Sequence, residues 1–212
     1  RQAWDRVTQI PGQGNQDSLL RLTTVQGDTE FASVEQQRHL VHTAPSPEDL
    51  WALIKINREE MRHGWQMCHL LVNHFGTAGR IEAQKMLERT ADKNSRLLQA
   101  FNLPCDHWLD LFCYQEFMDR DGKYQLLTLS HSGFIPLAQS TKYMLREEAF
   151  HLQTGHLGLQ RTVKKGKIPV SLVQKSINKW YPACLDLFGQ DESTSAYWFY
   201  LSGIKARPHE DR

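Results

Sequence analysis

Hydrophobic residues along this chain recur at intervals of three and four far more often than they alternate. That is the period of α-helices with one apolar face. Leu53, Ile56, Glu60, His63, Met67 and Leu70 form one such stripe, and Leu137, Met144, Glu148, His151, Gly155 and Leu159 form another. Ser46-Pro47-Glu48-Asp49 reads as a helix start: a capping hydroxyl, a proline suited to the first turn, and two acids for the positive helix end. The helix that follows should run to about Phe75 and stop at Gly76, roughly 43 Å of bundle helix at 1.5 Å per residue. Before it, a helical pattern extends from Asp17 to about Val41, with a break expected at Gly27-Asp28. A shorter helix follows Thr77 and exits through Asp92-Lys93-Asn94-Ser95. A third long helix is expected from about Asp106 to Ser130 and a fourth from about Pro136 to Lys164. The stretch from Pro169 to Phe199 reads as helix interrupted at Pro182 and Gly189. The pattern thus predicts an all-α fold, four long helices with additional short ones. Residues 1–16, with Pro11, Gly12 and Gly14, read as an irregular lead-in, 17–205 as one helical domain and 206–212 as a tail.

One string occurs twice. Arg58-Glu59-Glu60-x-x-His63 and Arg146-Glu147-Glu148-x-x-His151 are both R-E-E-x-x-H, and three-residue spacing puts Glu and His on one helix face, able to reach the same ion. With 12 Glu and 10 His, about 0.6 E-x-x-H matches are expected by chance, so the string alone is only suggestive. Its position decides more. Both pairs lie on the apolar stripes, and buried carboxylates are costly unless their charge is compensated. Thirty residues before Glu60 stands Glu30, and 29 before Glu148 stands Asp119, a path up one helix and down its antiparallel neighbour. Four helices would then bring four carboxylates and two imidazoles to one level, the ligand set of ferritin-like di-iron and di-manganese proteins. Two divalent ions would neutralise it. Glu35 and Asp28 compete with Glu30 for this place, and Glu116 and Asp121 compete with Asp119. Asp119-Arg120-Asp121-Gly122 is no calcium loop, because Lys123 and Ser130 stand where acids are needed. His39, His42, His69, His74, His107, His131 and His156 lack comparable partners and read as ordinary surface or core residues.

Composition narrows the setting. The 212 residues are 40% hydrophobic and 23% charged, enough for a substantial core and unlike a disordered chain. Twenty-five Lys and Arg against 24 Asp and Glu leave a net charge of +1, which argues against nucleic acid or a membrane surface as partner. No apolar run approaches the roughly 20 residues of a membrane span, and Arg1-Gln2-Ala3-Trp4-Asp5-Arg6 has no apolar signal core. A cytoplasmic location is expected. The chain opens without Met, as a piece of a longer polypeptide would. Cys68, Cys105, Cys113 and Cys184 form no C-x-x-C pair and read as reduced, buried fillers.

Longer strings carry a resemblance. Gly27-Asp28-Thr29-Glu30-x-Ala32-Ser33-Val34-Glu35-Gln36-Gln37-Arg38-His39-Leu40, Glu59-Glu60-x-Arg62-His63-x-Trp65, Ala100-Phe101-Asn102, Asp119-Arg120-Asp121-Gly122-Lys123 and Lys142-x-Met144-Leu145-x-Glu147-Glu148-Ala149-x-His151 resemble the benzoyl-CoA 2,3-epoxidase oxygenase family, from about Leu20 to about Lys205. The resemblance implies metal ligands at Glu30, Glu60, His63, Asp119, Glu148 and His151, and so selects Glu30 over Glu35. It implies a ferritin-like four-helix bundle holding two iron ions, bridged by Glu60 and Glu148, that uses dioxygen to epoxidise the ring of an aryl-CoA. Electrons would come from a separate flavin and iron–sulfur reductase. Phe112, Phe117, Met67 and Met144 are candidates for an apolar wall around the oxidant. The chain is shorter than that family's subunit, and Glu116 stands where an uncharged residue is expected. Two rivals share the ligand motif: an iron-storage or ferroxidase protein, and a radical-generating subunit with Tyr114 or Tyr143 beside a metal.

Overall fold

The computed structural model describes residues 3–188 and 194–205. Seven α-helices and no strand occur among them: α1 (Gln13–Gln37), α2 (Pro47–His74), α3 (Gly76–Glu88), α4 (Trp108–Leu129), α5 (Ile135–Lys165), α6 (Val170–Phe188) and α7 (Thr194–Leu201). Helix α1 packs along α2 and α4 along α5, α2 and α5 meet at their centres, α3 braces α1 and α2, and α6 lies on α4. This is the all-α four-helix bundle with extra helices that the periodicity predicts. No helix among the described residues is long and apolar enough to cross a membrane.

The expected start of α2 is present: Ser46 accepts from the Asp49 amide at 3.1 Å and Pro47 opens the first turn. Helix α5 ends where Gly166 turns left-handed at φ 60°, a conformation glycine adopts without steric cost. Three expectations change. The break at Gly27-Asp28 is absent, and α1 runs through it. Gly27 is there for packing: a Cβ would lie 2.8 Å from Met67 Cβ and from Met86 Sδ. Pro182 does not interrupt α6, although an interior proline costs a helix about 3 kcal/mol. Contacts on both sides of it hold the helix: Trp180 packs edge-on against Tyr114, and the Cys184 thiol donates to the Phe117 carbonyl. The lead-in is also more ordered than its composition suggests. Helix α1 already begins at Gln13, and Trp4, Val7 and Ile10 are buried. The Trp4 amide donates to Gly133 and its carbonyl accepts from Ile135, closing one end of the bundle. The expected interruption at Gly189 and the tail 206–212 lie outside the described residues.

Two large apolar clusters fill the interior. One joins Leu53, Phe101, Leu111, Phe112, Tyr114 and Trp180, and the other joins Leu19, Met67, Leu126, Phe134, Leu137 and Met144. Along α2, α4 and α5 the chain passes from one cluster to the other across a short polar stretch. That stretch contains Glu60 and His63, then Asp119, then Glu148 and His151.

The α3–α4 connection is fastened to α1 by ions. Arg96, itself buried, donates to Asp28 at 3.1 Å and to Glu35 at 2.7 and 3.0 Å, while the Leu97 and Ala91 amides donate to the same two acids. Asp28 and Glu35 therefore hold the loop that carries Phe101. Removing one member of a buried ion network leaves an uncompensated charge, at a cost of about 3–5 kcal/mol. Arg96→Ala should lower the unfolding free energy by that order, read from urea denaturation. A loss below about 1 kcal/mol would show that the network is not structural.

Candidate metal centre

Each E-x-x-H pair occupies the inward face of its helix, one turn from large apolar side chains. Glu30, Glu60, His63, Asp119, Glu148 and His151 are all buried, both histidines completely. The fold brings five of them into two triplets. Ligand atoms of Glu30, Glu60 and His63 lie within 4.8 Å of one another, and so do those of Glu60, Glu148 and His151. Glu60 belongs to both. Asp119 stands outside the triplets but lines the same cavity of about 50 Å³ as Glu30, Glu60 and Glu148. The competitors are engaged elsewhere: Asp28 and Glu35 by Arg96, and Glu116 by Arg120 at 2.5 Å with His156 at 3.4 Å. Asp121 is buried and accepts from Gln125.

The first glutamate of each R-E-E-x-x-H serves the other helix. His63 Nε2 lies 2.6 Å from Glu147, and His151 Nε2 lies 3.0 Å from Glu59. An ionised carboxylate only accepts, so both Nε2 atoms carry the proton and both Nδ1 atoms turn inward. His63 Nδ1 is 3.3 Å from Glu30. His151 Nδ1 is 2.9 Å from Glu60 and 3.7 Å from Glu148, yet it is buried without an aligned hydrogen-bond partner. A buried ring nitrogen so oriented, fixed from behind by a carboxylate, has the arrangement of a metal-ligating histidine. Nitrogen and carboxylate oxygen donors also suit first-row divalent ions. The residues fit a di-metal site.

Electrostatics point the same way. Burial pushes the Glu30 carboxyl up to about 7, with the Glu60 charge adding to it. Burial and Glu60 also drive Asp119 well above the carboxylate range, and burial raises Glu148 against the opposing His151 charge. Burial resists the His63 imidazolium, but Glu30, Glu60 and Glu147 overcome it and raise His63 to about 9. His151 rises likewise against its burial, led by Glu148. Of the four inward carboxylates Glu30, Glu60, Asp119 and Glu148, only Glu60 is held low: burial raises it, but the two histidines outweigh that. Without a cation the layer gathers protons.

The cavity wall differs from the expected one. Phe112, Phe117, Met67 and Met144 do not line it; Phe101, Tyr114, Met118 and Leu126 do. Phe112 packs against Gly158 and Trp108, and Phe117 against Tyr181. Tyr114 is buried, and burial followed by Asp119 raises its hydroxyl well above the phenolic range. Tyr143 is exposed on the outer side of α5. Sequence reasoning missed Glu59 and Glu147 as partners of the histidines, although the doubled E-E dipeptide was their signal.

Residues 7–207 match the family model described as phenylacetic acid catabolic protein. Over 225 aligned positions the chain is 41% identical to a protein named benzoyl-CoA oxygenase component B, from Aromatoleum evansii. The alignment covers 96% of this chain and 47% of that protein, so the chain spans about half the length of the curated relative it matches.

The proton affinities give a signed pH dependence for the metal-free chain. Glu30 and His63 bind protons more tightly folded (about 7 and about 9) than their ordinary values of 4.5 and 6.5. The folded state then holds more protons, and stability falls as pH rises. Glu30's contribution is lost between about 4.5 and 7, and His63's between about 6.5 and 9. Melting temperature in chelator should decline from about pH 5 to about pH 9. A flat or rising profile would show that these groups do not take up protons on folding.

Proposed function

The chain belongs to the phenylacetic acid catabolic protein family, and from that membership we propose that it is the oxygen-activating part of a di-iron monooxygenase that epoxidises the ring of benzoyl-CoA or a related aryl-CoA thioester. The observation that carries the proposal is the pair of buried carboxylate–histidine triplets sharing Glu60. Glu30, Glu60 and His63 would hold one ion, and Glu60, Glu148 and His151 the other. Asp119, which lines the same cavity as Glu30, Glu60 and Glu148, would complete the set. When bound, two iron ions supply electrons to dioxygen so that one oxygen atom passes to the ring and the other leaves as water. The balance is one dioxygen, two electrons and two protons per epoxide. A separate flavin and iron–sulfur reductase as the electron source, and action in the cytoplasm, belong to this proposal.

The chain's own residues do three things. Glu59 and Glu147 keep the protons on the outer ring nitrogens, so the inner nitrogens stay available. Phe101, Met118 and Leu126 wall the cavity on its apolar side, so that an oxidant would meet substrate before bulk solvent. Tyr114 holds its proton beside Asp119 and Glu60. That last placement also favours a second reading, in which Tyr114 is oxidised to a radical. A tyrosyl signal after air exposure of the reduced iron protein, lost in Tyr114→Phe, would favour it over oxygen transfer.

Two measurements test the proposal. Anaerobic ferrous titration should saturate at two ions per chain and raise the melting temperature, since a ligand bound only to the folded state stabilises it. Asp119→Ala should forfeit dinuclear binding while Asp121→Ala retains it; equal loss in both, or loss only in Asp121→Ala, would put the ligand on the wrong face of α4.

For the chemistry, the reduced di-iron protein is given labelled dioxygen and benzoyl-CoA in a single turnover, followed by mass analysis. Gain of one labelled oxygen is expected. Oxygen consumption that leaves benzoyl-CoA and phenylacetyl-CoA untouched would sink the substrate assignment while leaving the metal centre.

A further inference from the structure

The arginine that opens each R-E-E-x-x-H points away from the carboxylate layer. Arg58 keeps 75% of its side chain in solvent, and Arg146 is exposed on α5. The rest of that side of the bundle repeats the pattern. From Trp51 to Phe75 the only acids are Glu59 and Glu60, and from Ile135 to Lys165 the only acids are Glu147 and Glu148. Glu59, Glu60 and Glu148 are buried, and Glu147 is bonded to His63 and Arg62. The same two stretches carry three and five Lys or Arg, in a chain whose net charge is only +1. The outer face of α2 and α5 is therefore positive, its acids turned inward or paired.

We propose that this face docks an acidic electron-carrier protein, whose electrons enter the metal centre on the histidine side. The inference rests on the di-iron reading above and adds to it the place where reduction occurs. Two electrons, delivered one at a time, take both ions from ferric to ferrous and leave two one-electron carriers oxidised.

The histidines face this surface. His63 Nε2 lies 2.6 Å from Glu147, and Glu147 pairs with Arg62 at the solvent boundary. His151 Nε2 lies 3.0 Å from Glu59, which is buried beneath Lys55 and Arg58. One histidine is thus joined to solvent by a single carboxylate, and the other lies under the cations of the patch. The cavity wall of Phe101, Tyr114 and Met118 is on the opposite side, toward α1 and α4. A carrier seated on α2 and α5 leaves that side free.

The surface has the composition of an interface. Trp51, Trp65 and Tyr143 are 60%, 52% and 64% exposed, and Met61 is exposed between the two tryptophans and Arg62. Aromatic residues, methionine and arginine are the types that interfaces enrich. The Arg146 guanidinium lies 5.7 Å from the Tyr143 ring, and among the described residues neither Lys142 nor Arg146 has an acidic partner. Electron-carrier encounters bury little surface and take their speed from opposite charge. Positive charge without acids therefore selects an acidic carrier.

Plant-type [2Fe–2S] ferredoxin, a strongly acidic one-electron carrier, is the probe. Photoreduced ferredoxin is mixed anaerobically with the ferric di-iron chain, and its reoxidation is followed by stopped flow. The second-order rate should fall at least tenfold between about 20 mM and about 200 mM salt. Arg58→Glu and Arg146→Glu should each lower it about tenfold at low salt. Lys93→Glu, on the α3–α4 connection, should leave it unchanged. Dithionite should bring the parent and all variants to the ferrous state, with iron stoichiometry at the parent's value. Calorimetry on the metal-free chain should show oxidised ferredoxin binding with the same loss in salt and in the two arginine variants. If dithionite reduces the parent but ferredoxin reduces parent and arginine variants at one rate, or reduces none of them, the docking face is wrong while the di-iron reading stands. Tighter binding of the metal-free chain to duplex DNA or to phosphatidylglycerol vesicles than to ferredoxin would overturn the carrier as occupant. An iron titration that stops short of two ions overturns the di-iron reading and the inference with it, and that count tells the two failures apart.

Discussion

Six ionisable side chains share one level of this bundle, between two apolar clusters that exclude water from both sides. Isolated, each buried carboxylate would cost several kcal/mol of lost solvation, so the layer can exist only with compensating positive charge. The metal-free chain finds it in protons: Glu30, Asp119 and Glu148 are driven toward the neutral acid and both histidines toward the cation. Cations in their place would meet the same demand with the same oxygens and nitrogens. The rest of the architecture serves the layer. Close helix approach at Gly27 and Gly155 narrows the bundle; a Cβ on Gly155 would stand 2.5 Å from the Glu116 amide.

The doubled motif is a reciprocal device. Each R-E-E-x-x-H places its second glutamate and its histidine inward and uses its first glutamate to orient the histidine of the opposite helix. Glu59 and Glu147 thereby tie α2 to α5 where those helices meet. The two halves are not equivalent. Glu59 is buried beside Lys55 and Arg58, whereas Glu147 is partly exposed and paired with Arg62. His63 therefore communicates with solvent through one carboxylate, while His151 is sealed. Two chemically similar ion positions in one layer would for this reason have different access to the surface.

Much of this was legible in the sequence because it depends on helix period alone. Helix identity, the α2 cap and the inward placement of Glu60, His63, Glu148 and His151 follow from spacing. What depends on how helices approach one another was not legible. Gly27 read as a break because glycine weakens an isolated helix, and only the neighbouring Met67 and Met86 reveal it as a contact point. Phe112 and Phe117 were expected in the apolar wall, but the rotation of α4 turns them toward Gly158 and Tyr181. Asp28 and Glu35 were distinguishable from Glu30 only through resemblance, since their partner Arg96 lies more than 60 residues away.

The ligand layer and the cavity wall carry different information. The same carboxylates and imidazoles can serve storage, radical generation or oxygen transfer, so the layer suits two divalent ions and leaves reaction and substrate open. Selectivity belongs to the side of the cavity facing α1 and α4. There a volume of about 50 Å³ admits one or two waters, not an aromatic ring. A ring could enter only if Phe101, Met118 or Leu126 moved aside. Phe101 is the most movable of these in principle, because it stands on a short 3₁₀ turn rather than a long helix. The Arg96 network that fastens this loop to α1 therefore acts on both stability and access. A tighter loop closes the cavity, and a looser one opens it.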